Sequence, residues 1–306
     1  MAGIAVMGAG AVGCYYGALL AEAGEAVTLI GRPALAAAVR DQGGLFLETG
    51  GHKRLVPAAE AAGKPGLSVV TGPEGVAGAD LVLFAVKSGD TEAAGRQIAP
   101  HLAPGAAVLS LQNGVGNAPA LSEVLGREVI PTVVYVAVEM AGPGHVRHKG
   151  RGELILGPGA GADAAALRLG VAGIRAEVSD RAQAALWTKF TVNCVFNAAS
   201  ALTRQPYGVI AAQPGAEAFL RGVMAECLAV ARASGVDLPQ DFWPIIEGII
   251  TGMPGQFSST AQDLMRGKKT EIDHLNGEVL RRAEALGLAV PLNAALWVMV
   301  KAAEAG

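Results

Sequence analysis

Three glycines near the start of the chain constrain its fold more than any other feature. They stand in Gly8-Ala9-Gly10-Ala11-Val12-Gly13, directly after the apolar run Ile4-Ala-Val-Met7. Residues 14–24 then read as a helix closed by Gly24, and residues 26–30 as a second apolar strand. A Gly-x-Gly-x-x-Gly turn carries meaning only in such a strand–turn–helix–strand frame. In that frame Gly8 allows the tight turn, Gly10 admits close approach of a pyrophosphate, and Gly13 lets helix and strand pack closely. Ala9, Ala11 and Val12 complete the loop whose backbone would meet the dinucleotide. The anion would then face unpaired N–H groups and the positive end of the helix dipole.

The second strand ends in Gly31-Arg32. An NAD site usually places Asp or Glu there to accept from the ribose 2′-hydroxyl. Arg32 offers instead a planar donor fork suited to a 2′-phosphate, which favours NADPH. Further strands are predicted at residues 68–71, 80–86 and 106–111, uninterrupted apolar runs that suit a parallel sheet covered on both faces. Residues 45–49 and 53–56, joined through Gly50-Gly51, predict an inserted hairpin. Residues 129–138 and 153–156 extend the sheet, and from Arg181 strand signals give way to helical ones. The expected architecture is α/β: an N-terminal Rossmann-type doubly wound sheet over residues 1–180, which binds the dinucleotide, followed by an all-α substrate-binding domain over 181–306. Two domains also suit a chain of 306 residues.

Ligands of doubly wound sheets bind just outside the carboxyl ends of the strands. Two such ends carry polar residues: Lys87 after the strand at 80–86, and Asn113, which opens Asn113-Gly-Val-Gly116. Asn113 could orient a cofactor amide or a substrate oxygen, although Asn-Gly also makes ordinary turns.

A net charge of −3 provides no basic face for nucleic acid. No run approaches the roughly 18 apolar residues of a membrane span. The first cation is Arg32, so the apolar start lacks the positive flank of a signal peptide, and a cytoplasmic location is expected. Cys14, Cys194 and Cys227 are odd in number and widely spaced, which fits reduced core thiols. His145 and His148 read as surface residues of a Gly-rich hairpin, and no metal is expected.

The second half carries an unusual stripe. Lys189, Asn193 and Asn197 recur every four residues in a segment otherwise built from Leu186, Trp187, Phe190, Val192, Val195 and Phe196. Such spacing stacks side chains on one helix face. Buried polar groups need partners, since an unpaired one costs roughly 1–3 kcal/mol. The stripe can face substrate, line a wet groove on a surface helix, or hold asparagines bonded to neighbouring backbone. Further on, Ser259 and Gln262 stand at capping-box spacing, which predicts Ser259 as a helix cap. Residues 271–282 are predicted to form a further helix, with Glu271 in its first turn, where the dipole alone would favour an acid.

Taken together, these motifs resemble those of the ketopantoate reductase (2-dehydropantoate 2-reductase) family over nearly the whole chain. The likeness rests on the glycine loop with Arg32, Lys87, Asn113-Gly-Val-Gly, Leu186-Trp-x-Lys-x-x-x-Asn-Cys194, Ser258-Ser with Gln262-Asp263, and Thr270-Glu-Ile-Asp-x-x-Asn-Gly277. It implies an NADPH-dependent reduction of ketopantoate to pantoate, a step toward pantothenate and coenzyme A, with the site in the cleft between two domains. It further implies Lys189 as general acid and Glu271 as holder of the substrate hydroxyl. Asn193 and Asn197 would bind substrate, Ser259 would donate to its hydroxyl, and Asn113 would lie near nicotinamide and substrate. Lys87 and Arg32 would contact the cofactor. Thr260-Ala261 and Ala198 depart from residues common in the family, which leaves another small 2-oxo acid open as substrate. An NADPH-binding sensor without turnover is the reading from a different class. The apolar helical half leaves room for a homodimer surface.

Overall fold

The computed structural model describes residues 3–61 and 63–305. The chain divides into two compact units, Met1–Asn113 with Asn117–Ala182, and Gly114–Gly116 with Gln183–Gly306.

The first unit opens with strand β1 (Gly3–Met7), helix α1 (Ala11–Glu22) and strand β2 (Ala26–Ile30). Helix α2 (Pro33–Gln42) leads into the hairpin β3 (Gly44–Thr49) and β4 (His52–Pro57), as the glycine pair between them predicts. Next come β5 (Gly66–Val70), β6 (Ala79–Phe84), α3 (Thr91–Ile98), β7 (Ala107–Ser110) and α4 (Asn117–Leu125). The unit closes with β8 (Ile130–Gly142), β9 (His145–Leu156), α5 (Ala162–Val171) and β10 (Ala176–Val178). Among the described residues the strands join one ten-stranded sheet in the order β4-β3-β9-β8-β7-β6-β1-β2-β5, with β10 beside β9.

Strands β7, β6, β1, β2 and β5 run parallel. Most of their residues are buried, which explains their uninterrupted apolar sequences. Helix α1 packs here through its glycines: a side-chain carbon added at Gly17 would stand 2.6 Å from Leu29 Cδ2.

β8 and β9 run much further than the predicted 129–138 and 153–156. Gly150 and Gly152, at φ +153° and +149°, stay within the ladder because register shifts near Tyr135 and Ala137 absorb the irregularity. Both histidines of this hairpin are half-buried and engaged with neighbouring side chains. His145 Nε2 lies 2.8 Å from Glu48 Oε2, and the His148 ring stacks on Tyr15 with centroids 4.7 Å apart.

The second unit is helical: α6 (Ala182–Thr203), α7 (Tyr207–Ala211), α8 (Ala216–Ala233), α9 (Trp243–Gly252), α10 (Ser259–Met265), α11 (Asn276–Leu286) and α12 (Pro291–Glu304). Trp187, Phe190 and Phe196 of α6 are fully buried among Leu220, Val223, Ile246, Ile272 and Val279. Each such side chain contributes about 1.5–3 kcal/mol by leaving water. Val115, from the Gly114–Gly116 excursion, packs on this same core.

The helix predicted over 271–282 is corrected. A short 3₁₀ turn, Ile272–His274, comes first, and Leu275 at φ −114°, ψ −105° interrupts the path before α11 begins at Asn276. Among the described residues no helix is long and apolar enough to cross a membrane. All three cysteines are buried and unpaired as disulfides, and burial pushes the Cys14 thiol up to about 12.

Candidate active site

In the first unit, one edge of the sheet collects four of the predicted residues or loops. Register pairs Met7 with both Ile30 and Phe84, and Phe84 with Ser110, so β2, β1, β6 and β7 end level. The glycine loop follows Met7, Arg32 follows Ile30 by two residues, Lys87 follows Phe84 by three, and Asn113 follows Ser110 by three. The strand order reverses between β1 and β6, which is the switch point where doubly wound sheets bind ligands.

The glycine loop has the shape its spacing predicts. Gly8 takes φ +101°, and an added side-chain carbon would stand 2.5 Å from Val86 N. At Gly13 such a carbon would overlap the Gly8 carbonyl oxygen and stand 2.8 Å from Val6 Cγ1. At Gly10 it would meet nothing within 4 Å among the described residues. Gly8 and Gly13 are therefore demanded by the protein itself, while Gly10 faces open space in front of α1. Gly10 is also the N-cap of α1, and among the described residues no side chain caps that end. A pyrophosphate fits this cradle, since amide donors and the helix dipole would meet it without a side chain in the way.

The loop is tied to its neighbours. Gly8 N and Ala9 N both donate to Ile30 O, at 3.2 and 3.0 Å, and Ala85 N donates to Met7 O at 2.8 Å. Gly31 allows Ala9 to approach, for an added carbon there would stand 2.8 Å from Ala9 Cβ. Arg32 thus starts beside the loop, at the exposed N-cap position of α2. Lys87 is exposed and Asn113 half-buried.

Sequence reasoning missed what holds Lys87 and Asn113. Gln112 Nε2 donates to Val86 O at 3.1 Å and to Thr91 Oγ1 at 2.7 Å, and Ser110 Oγ donates to Gln112 Oε1 at 3.1 Å. Asn117 Nδ2 donates to Ser88 Oγ at 3.1 Å and also to Asn113 O. Thr91 Oγ1 donates to Ser88 O at 2.8 Å. Ser88, Thr91, Ser110, Gln112 and Asn117 are all buried, so the loops after β6 and β7 are sewn together by a satisfied polar network. A polar run beside two apolar strand ends was the available signal.

In the second unit, α6 carries the polar stripe. Lys189 and Asn193 are half-buried, whereas Asn197 is only 2% exposed. Asn197 Oδ1 accepts from the Tyr207 hydroxyl at 3.4 Å, a side-chain partner ten residues further along the chain. Two loops are pinned to the same helix. Ser258 Oγ donates to Asn197 O at 3.1 Å, and Asn276 Nδ2 donates to Cys194 O at 3.2 Å.

The cap of α10 is corrected by one residue. Ser258, not Ser259, is the N-cap, its hydroxyl accepting from Ala261 N at 2.9 Å. Ser259 is exposed at the first helical position, where its hydroxyl has no capping role. Glu271 is half-buried and opens the 3₁₀ turn.

Similarity to known proteins agrees with this arrangement. Residues 4–161 match the family described as ketopantoate reductase PanE/ApbA, and residues 181–304 match its C-terminal part. The chain is 34% identical to the 2-dehydropantoate 2-reductase of Halobacterium salinarum over 98% of both chains. It is 51% identical to a solved PanE/ApbA family ketopantoate reductase from Ralstonia eutropha JMP134, with a TM-score of 0.92 over 99% of this chain and 98% of that one. A D-mandelate dehydrogenase solved with NADH and anilino(oxo)acetate superposes with a TM-score of 0.87 at 25% identity, over 99% and 98% of the two chains. Matched in both its sheet-bearing and its helical part, this chain belongs to the ketopantoate reductase family.

Proposed function

We propose that this chain is an NADPH-dependent reductase of a small branched 2-oxo acid, 2-dehydropantoate, which it converts to pantoate. The observation that carries the reading is the level carboxyl edge of β2, β1, β6 and β7. It gathers the glycine loop, Arg32, Lys87 and Asn113 just past four strand ends. The nicotinamide, when bound, supplies the hydride.

The roles of the protein residues follow from their chemistry. Gly8, Ala9, Gly10, Ala11, Val12 and Gly13 bind pyrophosphate through the backbone, and Arg32 takes the 2′-phosphate. Lys87 adds positive charge, and Asn113 orients the nicotinamide end. Negative charge develops on the ketone oxygen as its carbon is reduced; the Lys189 ammonium stabilises that charge and then donates the proton. Glu271 accepts from the product hydroxyl and fixes its direction. Asn193 and Ser259 donate to the acid's oxygens, and Asn197, its oxygen engaged by Tyr207, offers its N–H groups. The first unit thus serves as the NADPH-binding domain and the second as the substrate-binding one.

A second reading, a reductase of another 2-oxo acid using NADH, is favoured by the likeness to the mandelate enzyme. The test is consumption of NADPH and NADH by purified protein with ketopantoate and a panel of 2-oxo acids. Turnover of ketopantoate with NADPH supports the proposal. Turnover of a different acid moves the assignment to the second reading, and NADPH binding without turnover of any acid points to a sensor.

A further inference from the structure

Glu271 stands between two residues that a single face of the last helix holds in place. On α12, Trp297, Lys301 and Glu304 are spaced by four and three and so share a face. Glu304 Oε1 accepts from both Thr270 N and Thr270 Oγ1, at 2.7 and 2.6 Å. Glu304 Oε2 lies 3.2 Å from Lys301 Nζ, which also donates to Asp273 Oδ2 at 2.9 Å. Asp273 Oδ1 in turn accepts from Trp297 Nε1 at 2.8 Å. A continuous circuit therefore runs Thr270–Glu304–Lys301–Asp273–Trp297, with Glu271 enclosed in sequence between its first and fourth members.

The circuit is well built. Thr270 is 6% exposed, and the Glu304 side chain 11%. Its bonds are assisted by charge, which makes them shorter and stronger than neutral ones. Trp297 is itself wedged against Gly277, where an added side-chain carbon would stand 3.0 Å from the indole nitrogen. A three-residue 3₁₀ turn has little stability of its own. Ile272–His274 nevertheless keeps its path, since Thr270 Oγ1 also accepts from Ile272 N at 3.2 Å and Ile272 is completely buried. Three side chains of one helix thus commit their polar groups to the residues on either side of Glu271.

We propose that Trp297, Lys301 and Glu304 are positioning residues that set the reach of Glu271 toward the substrate. This rests on the reading of Glu271 as the group that holds the substrate hydroxyl. A displacement of the order of 1 Å at such a group costs as much as a hundredfold in rate.

The experiment is a double-mutant cycle in the full chain with Lys301→Met and Glu271→Gln, supported by Lys301→Arg. Lys301→Met is expected to lower kcat/KM for the 2-oxo acid roughly tenfold to a hundredfold, with the dissociation constant for NADPH changed by less than about twofold. In the Glu271→Gln background the same change is expected to shift kcat/KM by less than about twofold. Lys301→Arg, which keeps both contacts within reach, restores most of the activity. Additive effects, or equal weakening of NADPH binding, overturn the proposal. Should Lys301→Met fail to fold, Glu304→Gln carries the same cycle, since it keeps an acceptor for Thr270 and loses only the charge facing Lys301. A wild-type protein that turns over no 2-oxo acid overturns the functional reading instead. Hydrogen exchange of amides 270–274 in the variants then judges the clamp alone: faster exchange upholds it, and unchanged exchange overturns it.

Discussion

The three glycines of the loop after β1 should separate stability from cofactor affinity when each is changed to alanine. At Gly8 the new methyl would stand 2.5 Å from Val86 N with the backbone at φ +101°. Positive φ costs a residue with a side chain about 1–2 kcal/mol, and forcing a methyl into packed backbone about 1–3 kcal/mol more. The sum, about 2–5 kcal/mol, removes a large share of the stability of a typical domain. At Gly13 the overlap with the Gly8 carbonyl and Val6 gives a similar penalty, offset by about 1 kcal/mol of improved helix propensity. Gly10→Ala differs, because its methyl meets nothing within 4 Å and the residue has φ −84°, which alanine adopts freely. Its gain of about 0.4–1 kcal/mol through the unfolded chain is balanced by the weaker N-cap. Thermal melting should therefore show Gly8→Ala and Gly13→Ala well below wild type and Gly10→Ala close to it. Fluorescence titration with NADPH should show Gly10→Ala weakened at least tenfold, a loss of about 1.4 kcal/mol. A Gly10→Ala protein that binds NADPH as wild type does would refute the cradle. A Gly13→Ala protein of unchanged stability would refute the packing argument.

Other expectations follow from individual contacts. Replacing Arg32 with glutamine should raise KM for NADPH roughly tenfold to a hundredfold and leave kinetics with NADH nearly unchanged; parallel losses with both cofactors would exclude a 2′-phosphate contact. Ser258→Ala should destabilise by about 0.5–2 kcal/mol through the lost cap, whereas Ser259→Ala should leave the melting temperature in place and raise KM for the 2-oxo acid. The reverse pattern would restore Ser259 as the cap. Acid stability should report on α12. Burial pushes the Asp273 and Glu304 carboxyls up, yet bonds from Lys301 and Trp297 to the first, and from Thr270 and Lys301 to the second, hold both below the usual range. Groups depressed in the folded state add stability above their unfolded values, near 4, and lose it as pH falls through the folded ones. The melting-temperature gap between wild type and Lys301→Met should thus be wide at neutral pH and close in acid; a constant gap would sever Lys301 from both carboxyls.

The parts of the molecule that were legible in the sequence are those governed by local spacing. The glycine loop, the apolar parallel strands and the four-residue stripe on α6 each carry their geometry within a few neighbouring residues. Ser258 and Ser259 show where that ends. Either serine satisfies a capping pattern, and the choice is made by the bond from Ser258 to the Asn197 carbonyl, 61 residues away. The start of α11 was misplaced for a related reason: Thr270 and Asp273 are drawn to α12, and the chain breaks at Leu275 before the helix can run. The network of Ser88, Thr91, Gln112 and Asn117 joins positions up to 29 residues apart, so no periodicity announces it. Long-range polar bonds were thus the level at which the sequence was least readable.

The brief departure of Gly114–Gly116 into the helical unit has a consequence for how the protein is made. Synthesis proceeds from the N-terminus, and domains fold as units in that order. Every residue of the sheet-bearing unit has been synthesised once Ala182 is reached, whereas the core that covers Val115 is built from residues that follow it. A nascent chain halted there would carry every residue of the sheet-bearing unit, with one valine still awaiting its neighbours. Cutting the gene at that point would give a first fragment with every residue of the sheet-bearing unit and a second that lacks Gly114–Gly116 of its own.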